Sequence, residues 1–141
     1  MLRREVVAYA ESLIDTPYRH QGRLQSGSLD CIGLVCAVGD HFGIDYQDIS
    51  GYSRNPDPGL FREHLRRFTT AGRVWEIRDG SIGVFRQARF PAHLGIFGSR
   101  PDGSRTLIHA LLPARRVIRQ AFVAPFTDLL CEVREFPGVE D

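Results

Sequence analysis

The sequence predicts a single α+β domain over residues 1–141, with its helices first and an antiparallel sheet after them. Three observations carry that expectation. Apolar residues recur at spacings of three and four in the first half of the chain, the pattern changes to short alternating runs from Val74 onward, and Pro101-Asp-Gly103 supplies turn chemistry between two of those runs. A chain of 141 residues is long enough to bury one core without disulfide or metal staples, and a second domain is not expected.

The elements follow in order. Val6, Val7, Ala10, Leu13 and Ile14 predict an amphipathic helix over residues 3–14 that stops before Thr16-Pro17. Residues 17–30 are rich in Gly, Gln, Arg and Ser and read as an irregular loop. A second helix starts at Cys31, with Ser28 or Asp30 as its N-cap and Gly43 just past its end. Asp45 to Gly59 is a long loop of the kind that walls a site, and Pro58 to Thr69 predicts a third helix with Leu60, Phe61, Leu65 and Phe68 inward. Strands are expected at Ile82–Phe85, His93–Phe97, Thr106–His109 and Arg116–Ile118, the second and third forming a hairpin with one histidine on each arm. Phe126 to Phe136 fits either a short helix or a final strand.

Composition excludes several classes. The net charge is +1 with 25% charged and 43% hydrophobic residues, so no nucleic-acid surface or disordered polyelectrolyte is indicated. All 18 basic residues are Arg, a bias that reflects codon usage more readily than recognition. No run is long enough for a membrane span, and the N-terminal apolar stretch, interrupted by Glu11, is too short for a secretory leader. Synthesis in the cytoplasm as a soluble chain is therefore expected.

Three cysteines cannot all pair within one chain, and Cys31 and Cys36 point to different faces of their helix. Cys36 and Cys131 lie in apolar runs and read as small core residues. Cys31 differs because a helix N-terminus favours its thiolate. A nucleophile needs a base, and the base needs a polar orienting group; His93 and His109 fit these roles if both imidazoles face the side on which the Cys31 helix packs. The same three residue types also suit zinc, yet no CxxC or HxxxH pair and no fourth ligand is evident. His20, His41 and His64 carry no partner pattern and default to surface or capping roles. Arg19, Arg23 and Arg54 lie in the flanking loops, where they could hold substrate carboxylates by paired hydrogen bonds.

Thr16-Pro-Tyr-Arg-His-Gln-Gly22, Leu29-Asp-Cys-Ile-Gly-Leu-Val35, Gly80-Ser-Ile-Gly-Val-Phe85, His93-Leu-Gly-Ile-Phe97 and Ile108-His-Ala110 occur in that order. Together they resemble the NlpC/P60 cysteine peptidases over roughly residues 5 to 120, most like the stand-alone members encoded with phage tails and gene-transfer-agent particles. The resemblance implies a papain-like fold in which the nucleophile helix packs on an antiparallel sheet. It implies Cys31 as nucleophile, His93 as base and later acid, His109 as the residue orienting His93, and Tyr18 as an oxyanion donor. Asp30 matches the acidic residue before the nucleophile, with helix capping as its main job and a place beside the substrate.

No metal or organic cofactor is implied. The implied substrate is the peptide stem of peptidoglycan, cleaved between γ-D-glutamate and the diamino acid, with phage-like tail proteins as partners and action in the periplasm or cell wall after carriage in a particle. Ile32, where the family commonly has Ser, and Ser81, where a Gly-Asp pair is common, depart from the pattern and bear on specificity. Two other functions remain open: a structural tail component with little hydrolysis, and a thiol acyltransferase or amidase with another substrate.

Overall fold

The computed structural model describes residues 1–53, 58–87 and 90–141. Helix α1 (Arg3–Ser12) buries Val6, Val7 and Ala10, the residues whose spacing predicts it. Helix α2 (Cys31–His41) is buried continuously from Ile32 to Gly39. An apolar circumference of this kind suits a helix packed on several sides, and α2 lies against α1 and the sheet. Asp30 caps it by accepting a hydrogen bond from the Gly33 amide at 2.8 Å, while Gly43 leaves it at a φ of 68° that favours glycine.

Helix α3 (Pro58–Phe68) turns Phe61, Leu65 and Phe68 inward; the side chain of Leu60 lies outside the described residues. His64 is not at the surface as expected. It is buried with its ring 5.6 Å from that of Phe68, because positions 61, 64, 65 and 68 form one helical stripe. Burial also lowers its pKa.

Among the described residues six strands follow: β1 (Thr70–Ala71), β2 (Ile82–Gln87), β3 (Phe90–Ser99), β4 (Arg105–Leu111), β5 (Arg116–Ala121) and β6 (Leu130–Glu135). The short helix α4 (Phe126–Leu129) precedes β6, so the tail contains both of the elements that its sequence suits. The sheet is antiparallel in the order β1-β6-β2-β3-β4-β5.

Alternation along the strands divides the core. Ile82, Val84, Leu94, Ile96, Ile108 and Ala110 pack with the residues of α1, α2 and α3. Phe85, Phe97 and Leu107 form a second cluster, covered by Ile77, Phe122, Phe126, Leu129 and Leu130.

A buried ion pair joins the two ends of the chain. Arg3 Nη1 lies 2.9 Å from Glu135 Oε2, and the Ser81 hydroxyl donates to Glu135 Oε1 at 2.6 Å. Ser81 is fully buried there, so its polar atom serves the junction of α1, β2 and β6. Among the described residues no helix is long and apolar enough to cross a membrane.

Candidate active site

Cys31 and His93 line one cleft of about 330 Å³, together with Tyr18, His20 and Tyr52. They arrive from four separate segments of the chain. Cys31 is the first residue of α2, His93 lies on β3, Tyr18 and His20 come from the loop after α1, and Tyr52 comes from the loop after α2. The backbone amide of Leu94, the residue after His93, acts on the Cys31 sulfur in the direction that favours its thiolate.

The histidine pair is well defined. His93 Nε2 lies 2.8 Å from His109 Nδ1, and His109 Nε2 lies 2.8 Å from Gln120 Oε1 on β5. Engagement of Nε2 by His109 leaves Nδ1 of His93 as the nitrogen available to a thiol proton. Gly95 makes this arrangement possible, since an added Cβ would lie 2.5 Å from Leu107 Cδ1 and 3.3 Å from His109 Cβ. Phe126 closes over the pair, with its ring 4.9 Å from His109 and 6.2 Å from His93.

Two expectations are corrected here. His93 and His109 follow the alternation of Phe97 and Leu107 and project on the second-cluster side of the sheet, away from the face covered by the body of α2. Cys31 shares the cleft with His93 because it stands at the tip of that helix. The second correction concerns charge. Burial, then the neighbouring Asp30 carboxylate, pushes the Cys31 thiol up to about 12, and the amides of Leu94, Ile32 and Cys31 offset this only in part.

Burial, reinforced by repulsion from His109, pushes His93 down to about 3. Burial lowers His109 as well, opposed by its bond to Gln120. All three shifts run in the direction that favours a neutral thiol and neutral imidazoles over a resting thiolate–imidazolium pair.

Asp30 lines the cleft while also capping α2, and Arg23 is committed to structure. The Asp30 carboxylate accepts from the Gly33 amide (2.8 Å), the Gln21 amide (2.9 Å), Arg23 Nη1 (3.2 Å) and the Tyr52 hydroxyl. Arg23 also pairs with Asp48 at 2.8 Å and donates to the Tyr52 hydroxyl at 3.0 Å. Its side chain is 17% exposed, so its donors hold the loop after α2 against the nucleophile helix instead of facing a substrate. Arg19 is exposed and absent from the cleft wall, and Arg54 lies outside the described residues.

His20 is also reassigned from the surface. It lines the cleft and its Nε2 bonds to the Tyr52 carbonyl at 2.9 Å. Gln120 had no comparable signal, because it falls beyond the end of the predicted Arg116–Ile118 strand. Cys36 is buried, with its thiol 3.6 Å from Asp48 Oδ1, and Cys131 is half-buried with its thiol 3.3 Å from the Val84 carbonyl. Among the described residues no group of three or more His, Cys, Asp or Glu side chains is arranged to hold a metal ion.

Ile32 lines the cleft beside Cys31, whereas Ser81 does not. Of the two departures from the sequence pattern, only Ile32 touches the space where a substrate would lie. Phe85, Arg86 and Gln87 all reach the cleft although they are consecutive. A regular strand would point the middle one away; the register shifts at Val84/Phe85 and Phe85/Arg86 permit the arrangement.

No protein-family model and no curated protein matches the chain by sequence. Solved structures do match. An NlpC/P60 family protein from Bacillus cereus ATCC 10987 superposes with a TM-score of 0.70 at 16% identity, covering 95% of this chain and 40% of its own. A protein from Staphylococcus aureus subsp. aureus Mu50, described as similar to a lipoprotein of the NLP/P60 family, gives 0.67 at 17% identity over 99% of this chain and 42% of its own. The fold is that of the NlpC/P60 proteins.

The NlpC/p60 domain of the peptidoglycan hydrolase SagA agrees, with a TM-score of 0.56 and 23% identity over 84% of this chain and 88% of that domain. The chain spans about two fifths of the length of the first two structures. At these identities the likeness carries the architecture, and the chemistry has to come from the cleft itself.

Proposed function

We propose that this chain is a cysteine peptidase that cleaves an amide in the peptide stem of peptidoglycan, between γ-D-glutamate and the diamino acid. The observation that carries the reading is the Cys31 cleft, where the thiol shares its space with His93 and the 2.8 Å contact to His109 leaves His93 Nδ1 for the proton. As sulfur attacks the carbonyl carbon, the S–H proton passes to His93 Nδ1. The Cys31 amide and the Tyr18 hydroxyl stabilise the oxyanion. His93 then protonates the leaving amine, and water hydrolyses the thioester with His93 again as base.

The neutral resting pair is compatible with this sequence, because the proton transfer accompanies attack as it does for a serine nucleophile. Arg86 holds substrate carboxylates in place of Arg19 and Arg23, since it reaches the cleft and the stem peptide carries free carboxylates; Arg54 lies outside the described residues. Association with a phage-like tail belongs to the same proposal, supported by the resemblance of Tyr18-Arg-His-Gln-Gly-Arg23 to the stand-alone members encoded with phage tails. Carriage in a particle would deliver the enzyme to the periplasm or cell wall.

The test is incubation with defined stem peptides followed by mass spectrometry. Fragments ending in γ-D-glutamate are expected; cleavage at another amide would reassign the bond, and intact peptides would remove the peptidase reading. Adding competing amines to the same reaction separates hydrolysis from acyl transfer by product mass.

A further inference from the structure

We infer that Gln120 is a positioning residue that sets the tautomers of both histidines and so determines whether His93 can act as a base. The inference deepens the proposed peptidase mechanism and rests on it. Leu107 pairs with Gln120 and His109 pairs with Ile118 across β4 and β5. Gln120 is therefore two residues along from the direct partner of His109, on the same face and within side-chain reach. Its Oε1 lies 2.8 Å from His109 Nε2, and His109 is completely buried.

The consequences propagate through the hydrogen bonds. An amide oxygen only accepts, so His109 must carry its proton on Nε2. A neutral imidazole then presents Nδ1 as an acceptor, and the proton in the 2.8 Å contact belongs to His93 Nε2. His93 Nδ1 is left with a lone pair, ready to form the N–H bond as the Cys31 S–H bond breaks.

Turning the Gln120 amide over reverses every step. Its NH2 would donate to His109 Nε2, His109 Nδ1–H would donate to His93 Nε2, and His93 Nδ1 would carry a proton and have no lone pair for the thiol. The two orientations occupy the same volume and differ only in hydrogen-bond direction. A carboxylate at this position would permit only the first.

The experiment compares the full chain with Gln120→Glu and Gln120→Leu by imidazole nitrogen NMR and by steady-state kinetics, with melting temperature checked for each. Nitrogen shifts of the parent protein should show unprotonated Nδ1 on both His93 and His109. Gln120→Glu should preserve that pattern and keep kcat within a few-fold. Gln120→Leu should mix the tautomers and lower kcat by about 10–100-fold with KM unchanged, by analogy with the loss seen when the hydrogen-bond partner of a metal-ligating histidine is removed.

Unchanged tautomers in Gln120→Leu would overturn the inference, as would a Gln120→Glu variant as impaired as Gln120→Leu. Gln120→Met supplies the same comparison if the leucine variant unfolds. The NMR arm needs no substrate, so it tests the tautomer assignment even if the chain cleaves no peptide.

Discussion

The protonation state of Cys31 is the most specific consequence of the cleft. Burial and Asp30 raise the thiol from its ordinary 9.0 to about 12, which makes ionisation costlier by about 4 kcal/mol. At pH 7 roughly one molecule in 10⁵ would carry the thiolate in the absence of substrate. The perturbation is a pH titration of the parent protein and of Cys31→Ala, read as the difference in ultraviolet thiolate absorbance. No Cys31 step should appear below about pH 9, and iodoacetamide should label Cys31 more slowly than an unhindered thiol. A Cys31 thiolate step at or below neutrality would refute the neutral-pair reasoning and restore a resting thiolate–imidazolium pair.

Acid should destabilise the fold through His93. The unfolded histidine takes its proton near 6.5 and the folded one only near 3, so stability is complete above pH 6.5 and declines as pH falls towards 3, by about 2 kcal/mol at pH 5. Denaturant melts should show that slope, and His93→Gln should flatten it. Glu135→Ala should cost about 1–3 kcal/mol in the same melts, because it removes the buried partner of Arg3 and of the Ser81 hydroxyl and leaves Arg3 only the exposed Asp141. Tyr18→Phe should lower kcat on a stem peptide by roughly 100-fold with little change in melting temperature if its hydroxyl stabilises the oxyanion; parent-like turnover would remove Tyr18 from the mechanism.

Local features of the chain were readable before folding, and features assembled across it were not. Asp30 capping, Gly43 termination and the hairpin between His93 and His109 depend on residues close in sequence, so composition and spacing announce them. The histidine contact followed from that hairpin. The burial of His64 was available from its place on the 61–65–68 stripe, but its polar ring argued for the surface.

Other features depend on distant partners. Arg23 reads as a free loop cation until Asp48 and Tyr52 arrive to surround it. The same folding event buries the Cys31 thiol, and desolvation then outweighs the helix N-terminus that would acidify it. Strand parity likewise fixes the side of the sheet that bears His93 only once Phe85 and Leu94 have their partners. Gln120 joins the site through β5, whose full length extends beyond its apolar run.

The central claim is that Cys31 is the nucleophile of an amide hydrolase. Its most direct test is release of new amines from purified muropeptides by the parent chain and by Cys31→Ala, with equal folding confirmed by circular dichroism. The account predicts release by the parent and none by the variant. Cleavage by Cys31→Ala at the parent rate, or no cleavage of any muropeptide by the parent, would contradict it.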